Sequence, residues 1–115
     1  MTCVNTLLGL AYDPDSLNKT LGAGGGGYSG RAIHPVAVRA VHDVHAALPD
    51  LPIIGVGGVA SGWDAIEMFL AGASAVQVGT ASFADPRAAA NVQRELVEWA
   101  EERGIARVAD LRALV

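Results

Sequence analysis

Short unbroken apolar runs alternate along the chain with apolar residues at helical spacing. The clearest run is Ile53-Ile54-Gly55-Val56, which lacks polar alternation and so has the pattern of a parallel strand covered on both faces. It ends in Gly57-Gly58. Ser61 and Asp64 then give an S-x-x-D helix start, Ile66, Phe69 and Leu70 share one face of that helix, and Gly72 stops it. Ala73 to Val78 is a second small apolar run, and it too ends in a turn, Gly79-Thr80. Upstream, Thr2 to Leu8 reads as a strand. Pro35 opens a helix whose stripe is Ala37, Ala40, Val41, Val44 and Leu48, with Pro49 and Pro52 closing it. Downstream, Asp85-Pro86 makes an N-cap and first-turn pair for a helix running to about Arg103, with Val92, Leu96 and Trp99 inward and Gly104 as its stop. Val108 to Leu114 is a short amphipathic tail. Only Gly9 to Ile33 breaks the alternation: Gly22 to Gly27 holds five glycines in six positions, and the segment reads as a long loop.

The order is therefore strand, long loop, helix, strand, helix, strand, helix, and right-handed crossovers turn such an order into a parallel sheet with covering helices. Three parallel strands are too few to complete one. A (β/α)8 barrel of about 250 residues commonly seats phosphate between the loops after its seventh and eighth strands. On that reading residues 1–115 are a single partial domain, the C-terminal portion of a barrel containing about strands six to eight, and the open edges should make it poorly stable or prone to associate. The alternative is a doubly wound sheet. Gly55-x-Gly57-x-x-Ala60 matches the dinucleotide fingerprint, but that motif wants an acidic residue about 20 positions on, where this chain has Gln77-Val78-Gly79-Thr80. Gly22-x-Gly24-x-x-Gly27 matches as well, without a strand and helix closely flanking it.

Composition narrows the partners. In 115 residues, 51% are hydrophobic and 17% charged, which suits a small globular body. The net charge is −4 and Lys19 is the only lysine, so no basic patch exists for a nucleic acid backbone. Cys3 is the only cysteine, which excludes an internal disulfide and any C-x-x-C metal motif and fits a reducing cytoplasm. No run of 18 apolar residues would span a membrane, and no basic leader with an apolar core follows Met1.

The candidate chemistry lies in the two glycine turns. Consecutive parallel strands that both end in bare backbone amides make an anion seat, most often for phosphate, and this points to Gly57, Gly58, Gly79 and Thr80.

Four blocks carry a family resemblance: Asn5-Thr6-Leu7-Leu8-Gly9, the stretch Gly26 to Pro35, Pro52 to Gly58, and Ala71 to Thr80. Together they resemble the C-terminal part of dihydroorotate dehydrogenase, and the similarity runs through nearly the whole chain. Val78-Gly79-Thr80 is similar to the soluble class 1 enzymes, the membrane-associated class having another residue at the glycine position. The Asn-Thr pair and Ser29-Gly30 look most like the class 1B catalytic subunit, which works with an iron–sulfur and FAD electron-transfer subunit and passes electrons to NAD. The pyrimidine-binding domain of dihydropyrimidine dehydrogenase is also similar, and a phosphate-binding barrel isomerase or synthase without flavin would keep the glycine turns alone. The resemblance implies an FMN enzyme that oxidises dihydroorotate to orotate in pyrimidine synthesis, homo-oligomeric at full length. It implies that Gly57, Gly58, Gly79 and Thr80 hold the FMN phosphate, that Gly30 touches the flavin, and that Asn5 and Thr6 bind the pyrimidine. It also implies that the catalytic cysteine and a lysine near the flavin belong to earlier strands, so that this chain holds no catalytic residue and does not turn over alone.

Other residues have plainer readings. Cys3, beside Val4 in an apolar run, is a small buried thiol. His42 and His45, three apart and off the apolar stripe, read as solvated surface, since zinc would need further ligands. His34 carries no assigned role. Trp63 and Trp99 read as packing residues, and Arg94, Glu95, Glu98, Glu101, Glu102 and Arg103 as a solvated helix face.

Overall fold

The computed structural model describes all 115 residues. Its first strand, β1 (Thr2–Cys3), is followed by an antiparallel ribbon of β2 (Leu7–Gly9) and β3 (Gly26–Tyr28) and by a 3-10 turn at Arg31–Ile33. Then come α1 (His34–Ala47), β4 (Ile54–Val56), α2 (Gly62–Leu70), β5 (Ala75–Gln77), a short α3 (Ala81–Ala84), α4 (Ala88–Glu101) and a 3-10 segment at Val108–Leu114. β1, β4 and β5 form a parallel sheet in that spatial order, with Cys3 opposite Gly55 and Gly55 opposite Val76. Val4 N–H donates to the Val56 carbonyl at 2.7 Å, continuing the first pairing one residue beyond β1.

The predicted strand from Thr2 to Leu8 is thus two strands that serve two sheets. Its apolar residues are not one core face: Cys3 is buried, whereas Leu8 is 96% exposed on the ribbon. The segment expected to be a long loop contains β3 and a further antiparallel bridge between Tyr12 and Lys19. Glycine has poor strand propensity, which hid β3, and backbone pairing with β2 supplies what propensity does not.

The helices follow their predicted faces with three amendments. In α1, Ala37 and Val41 are fully buried while Leu48 lies past the helix end and is exposed. The last long helix starts at Ala88 rather than after Asp85, because residues 81–84 already form α3. The Asp85 carboxylate still accepts Arg87 N–H at 2.9 Å, and its other oxygen accepts the Asn91 amide at 2.9 Å. Glu95 is not simply a solvated residue. Its carboxylate accepts Gly62 N–H at 2.7 Å and so satisfies one of the orphan donors at the start of α2.

The core lies between the sheet and α2. Ile53, Ile66, Met68, Val41 and Leu111 are its largest fully buried side chains, Leu111 arriving from the C-terminal 3-10 segment. Trp63 is half exposed and leans on Trp99 with ring centroids 6.2 Å apart, while the Arg103 guanidinium lies 4.3 Å from the Trp99 ring. His45 corrects its expected solvated placement. It is half-buried against Gly72, and its Nδ1 is buried without a hydrogen-bond partner.

α2 begins with a complete capping box. Ser61 Oγ accepts Asp64 N–H at 3.3 Å, and Asp64 Oδ2 accepts the N–H groups of Ser61 and Ala60 at 2.8 and 2.9 Å. Burial alone would push the Asp64 carboxyl up, but the Ala60 and Ser61 hydrogen bonds and nearby His34 outweigh it and hold Asp64 below its ordinary range. A carboxyl depressed in the folded state contributes stability that is complete above its unfolded value, about 3.9, and is lost as the pH falls through the folded value. The urea midpoint of wild type is therefore expected to exceed that of Asp64→Asn at pH 6, with the gap narrowing below about pH 4. A gap independent of pH would show that the carboxylate charge does not support the cap.

Candidate functional site

Each parallel strand ends at the same side of the sheet, and the residue pair after each one enters a common cleft. Asn5 and Thr6 follow β1, Gly57 and Gly58 follow β4, and Gly79 and Thr80 follow β5. Ser29 and Gly30 reach the same place from the end of β3. All seven residues singled out in the sequence, Asn5, Thr6, Gly30, Gly57, Gly58, Gly79 and Thr80, line one cavity of about 470 Å³. A second cavity of about 400 Å³ shares Gly30, Gly58, Gly79 and Thr80 and continues over Arg31, Ala81, Asp85 and Asn91.

The cleft is rich in unused donors. The backbone N–H groups of Gly58, Gly79 and Thr80 find no acceptor within the chain. Asn5 turns its Oδ1 onto Thr6 N–H at 2.8 Å and leaves its amide nitrogen without an acceptor. The Thr80 hydroxyl donates to Ser29 Oγ at 3.2 Å, so the two hydroxyls stand together at this wall. Arg31 lines the second cavity and forms no ion pair in the chain. Ser29 and Arg31 stood inside a motif block in the sequence, yet nothing in their spacing distinguished them from loop residues. Only the return of the β2–β3 ribbon brings them to the cleft.

Gly79 has a particular geometry. A Cβ built on it meets nothing within 4 Å, and its backbone conformation does not require glycine. The fold therefore leaves open the one volume that a side chain there would fill, and that volume belongs to both cavities.

Beneath the cleft sits His34, to which the sequence gave no role. It is 7% exposed, and its Nδ1–H donates to the Gly57 carbonyl at 2.9 Å. Its Nε2 faces Glu67 Oε2 at 3.3 Å and Asp64 Oδ1 at 3.9 Å. The three side chains bring their polar atoms within 4.8 Å of one another, an imidazole edge facing two carboxylates. A helix-turn offset joins Asp64 and Glu67 on α2, but their pairing with His34 spans about thirty positions and has no local signal.

Unpaired donors at the carboxyl ends of adjacent parallel strands define an α/β protein with an anion-ready cleft. Comparison with known proteins makes this specific. The dihydroorotate dehydrogenase family model matches residues 1–99, and the chain belongs to that family. It is 50% identical over 111 residues to the dihydroorotate dehydrogenase B (NAD(+)) catalytic subunit of Pelobacter propionicus, covering 96% of this chain and 36% of that protein. It is 47% identical, with the same coverages, to a provisionally named dihydroorotate dehydrogenase A (fumarate) of Solibacter usitatus. Among solved structures it superposes on the ferulenol complex of the Eimeria tenella enzyme with a TM-score of 0.77 at 32% identity, covering 96% of this chain and 29% of that one. The chain thus spans about a third of the length of the curated relatives it matches. No helix is long and apolar enough to cross a membrane.

Proposed function

We propose that this chain is the C-terminal portion, about strands six to eight, of a (β/α)8 barrel in a cytoplasmic, FMN-dependent dihydroorotate dehydrogenase that oxidises dihydroorotate to orotate. The observation that carries the reading is the convergence of Asn5-Thr6, Gly30, Gly57-Gly58 and Gly79-Thr80 on one cleft at the carboxyl ends of the parallel strands. The shape supports it too. The radius of gyration is 16.3 Å, against about 13 Å for a compact domain of this length, and β5 lies at an open sheet edge. Both suit a wedge of a larger closed body.

The residues fit an FMN phosphate. Gly58, Gly79 and Thr80 offer free N–H groups, the paired Thr80 and Ser29 hydroxyls stand beside them, and the open volume at Gly79 lets an anion approach the backbone. Asn5 presents both donor and acceptor character to pyrimidine N–H and C=O groups, with Thr6 beside it. When bound, FMN supplies the hydride acceptor for dihydroorotate. The chain's own residues hold and orient; the base and the rest of the ring site come from outside these residues. An iron–sulfur and FAD electron-transfer subunit as partner and a homo-oligomeric catalytic subunit belong to the same proposal; a partner is in keeping with relatives whose names call them catalytic subunits of an NAD(+) enzyme.

Three backbone hydrogen bonds to a phosphate dianion, at roughly 1.5–3 kcal/mol each, give about 5–9 kcal/mol, and association costs roughly 4–15 kcal/mol. The seat alone is near balance, so tight binding needs the flavin ring contacts of the whole barrel. The full-length protein is therefore expected to show a flavin spectrum that bleaches anaerobically on adding dihydroorotate, whereas the 115-residue chain shows no turnover. A colourless full-length protein would remove the flavin reading, and turnover by the short chain would remove the partial-site reading.

A further inference from the structure

We infer that His34 is a positioning residue for the phosphate seat: it holds the Gly57–Gly58 peptide plane so that Gly58 N–H faces the cleft. This deepens the FMN reading above and rests on it. In a trans peptide the C=O and the following N–H point in opposite directions. His34 Nδ1–H takes the Gly57 carbonyl at 2.9 Å on the protein side, so the Gly58 N–H is turned away from His34, toward the cavity it lines, and it has no acceptor in the chain.

Three further features make His34 suited to this task. Gly57 and Gly58 both have positive φ, +132° and +70°, so the turn has conformational freedom that an external bond must remove. The turn sits directly on His34, since a Cβ on Gly58 would lie 2.8 Å from His34 Cβ and 3.0 Å from its backbone nitrogen. The ring is itself anchored. Nε2 lies 3.3 Å from Glu67 Oε2 and 3.9 Å from Asp64 Oδ1, and both carboxylates stand on α2, whose capping box ties Asp64 to Ala60 and Ser61 at the far end of the same turn. The imidazole therefore braces the turn at its carbonyl, and Asp64 braces it at its exit. A side chain that only filled space would need no polar partner on both ring nitrogens.

The test compares FMN with riboflavin, which lacks the phosphate, on the apo form of the full-length protein by quenching of flavin fluorescence. Wild type is expected to prefer FMN strongly. His34→Leu should weaken FMN binding at least tenfold while changing riboflavin binding less than twofold. His34→Asn, whose amide can reach the Gly57 carbonyl in place of Nδ1–H, should recover most of the preference. Glu67→Gln alters only a partly exposed anchor and keeps the fold testable should His34→Leu fail to fold; it should lower the FMN preference by a smaller factor. Equal losses for both flavins, or an unchanged preference in His34→Asn and Glu67→Gln together with no loss in any foldable His34 variant, would overturn the inference. A wild-type protein that binds riboflavin but gains nothing from the phosphate would overturn it without touching the flavin reading, whereas one that binds neither ends both.

Discussion

Gly79→Val is expected to leave the melting temperature of the full-length protein within about 2 °C of wild type and to weaken binding of the FMN proposed for this cleft by a hundredfold or more. The two halves of this expectation come from one observation. A Cβ at Gly79 meets no atom within 4 Å, and the backbone there is not in a left-handed conformation, so the folded chain has no steric objection to valine at the end of β5. Surface substitutions of that kind usually change stability by less than about 0.5 kcal/mol. The same open volume is where an anion must come to reach the free N–H groups of Gly79 and Thr80. Valine would hold the phosphate away from at least two donors, each worth roughly 1.5–3 kcal/mol, and a loss of about 3 kcal/mol or more corresponds to a hundredfold. Gly79→Ala, with one methyl group, should fall between. Thermal melts alongside flavin titrations check the pair. Normal FMN affinity in Gly79→Val would mean that the phosphate sits elsewhere, and a collapsed melting temperature would mean that Gly79 is glycine for the fold's sake.

How much of this was legible beforehand depends on whether the determinant is local. The capping box at Ser61 and Asp64 was readable because its four participating groups lie within three residues, and the structure forms it as written. The parallel strands around Gly55 and Val76 were readable from apolar runs bounded by glycines, and their common polarity follows from crossover handedness. The site residues could be named because each lies directly after such a strand or within a motif block. Non-local determinants left no such trace. β3 is Gly26-Gly27-Tyr28, a strand only because β2 pairs with it. Glu95 looked like one more carboxylate on a solvated helix until α2 was placed against it, 33 positions away. His34 looked idle because its partners Gly57, Asp64 and Glu67 belong to other elements, although a histidine that opens a helix and precedes Pro35 was a weak hint of a constrained position.

Gly62→Ala provides the complementary case, a glycine required by packing, and it is expected to destabilise the fold by about 1–3 kcal/mol. Gly62 is the first residue of α2, and a Cβ there would lie 2.5 Å from Glu95 Cβ and 2.7 Å from Leu96 N. Alanine is the better helix former by as much as 1 kcal/mol, so propensity pulls the other way. Sterics should win, because two of the three obstructing atoms belong to the α4 backbone and cannot rotate aside. Relief requires the helices to separate, which stretches the 2.7 Å bond from Gly62 N–H to Glu95 and loosens α4's buried Val92 from the core it shares with α2's Phe69. Glu95→Gln, which keeps a weaker acceptor in place, should cost less than Gly62→Ala. Because α2 also carries Asp64 and Glu67, its displacement moves the anchors of His34, so Gly62→Ala should lose FMN preference and stability together, unlike Gly79→Val. Urea unfolding and flavin titration on the same two variants separate the cases: an unaltered unfolding midpoint in Gly62→Ala would show that the helices have room, and the packing argument for α2 as the rigid support of the cleft would fail with it.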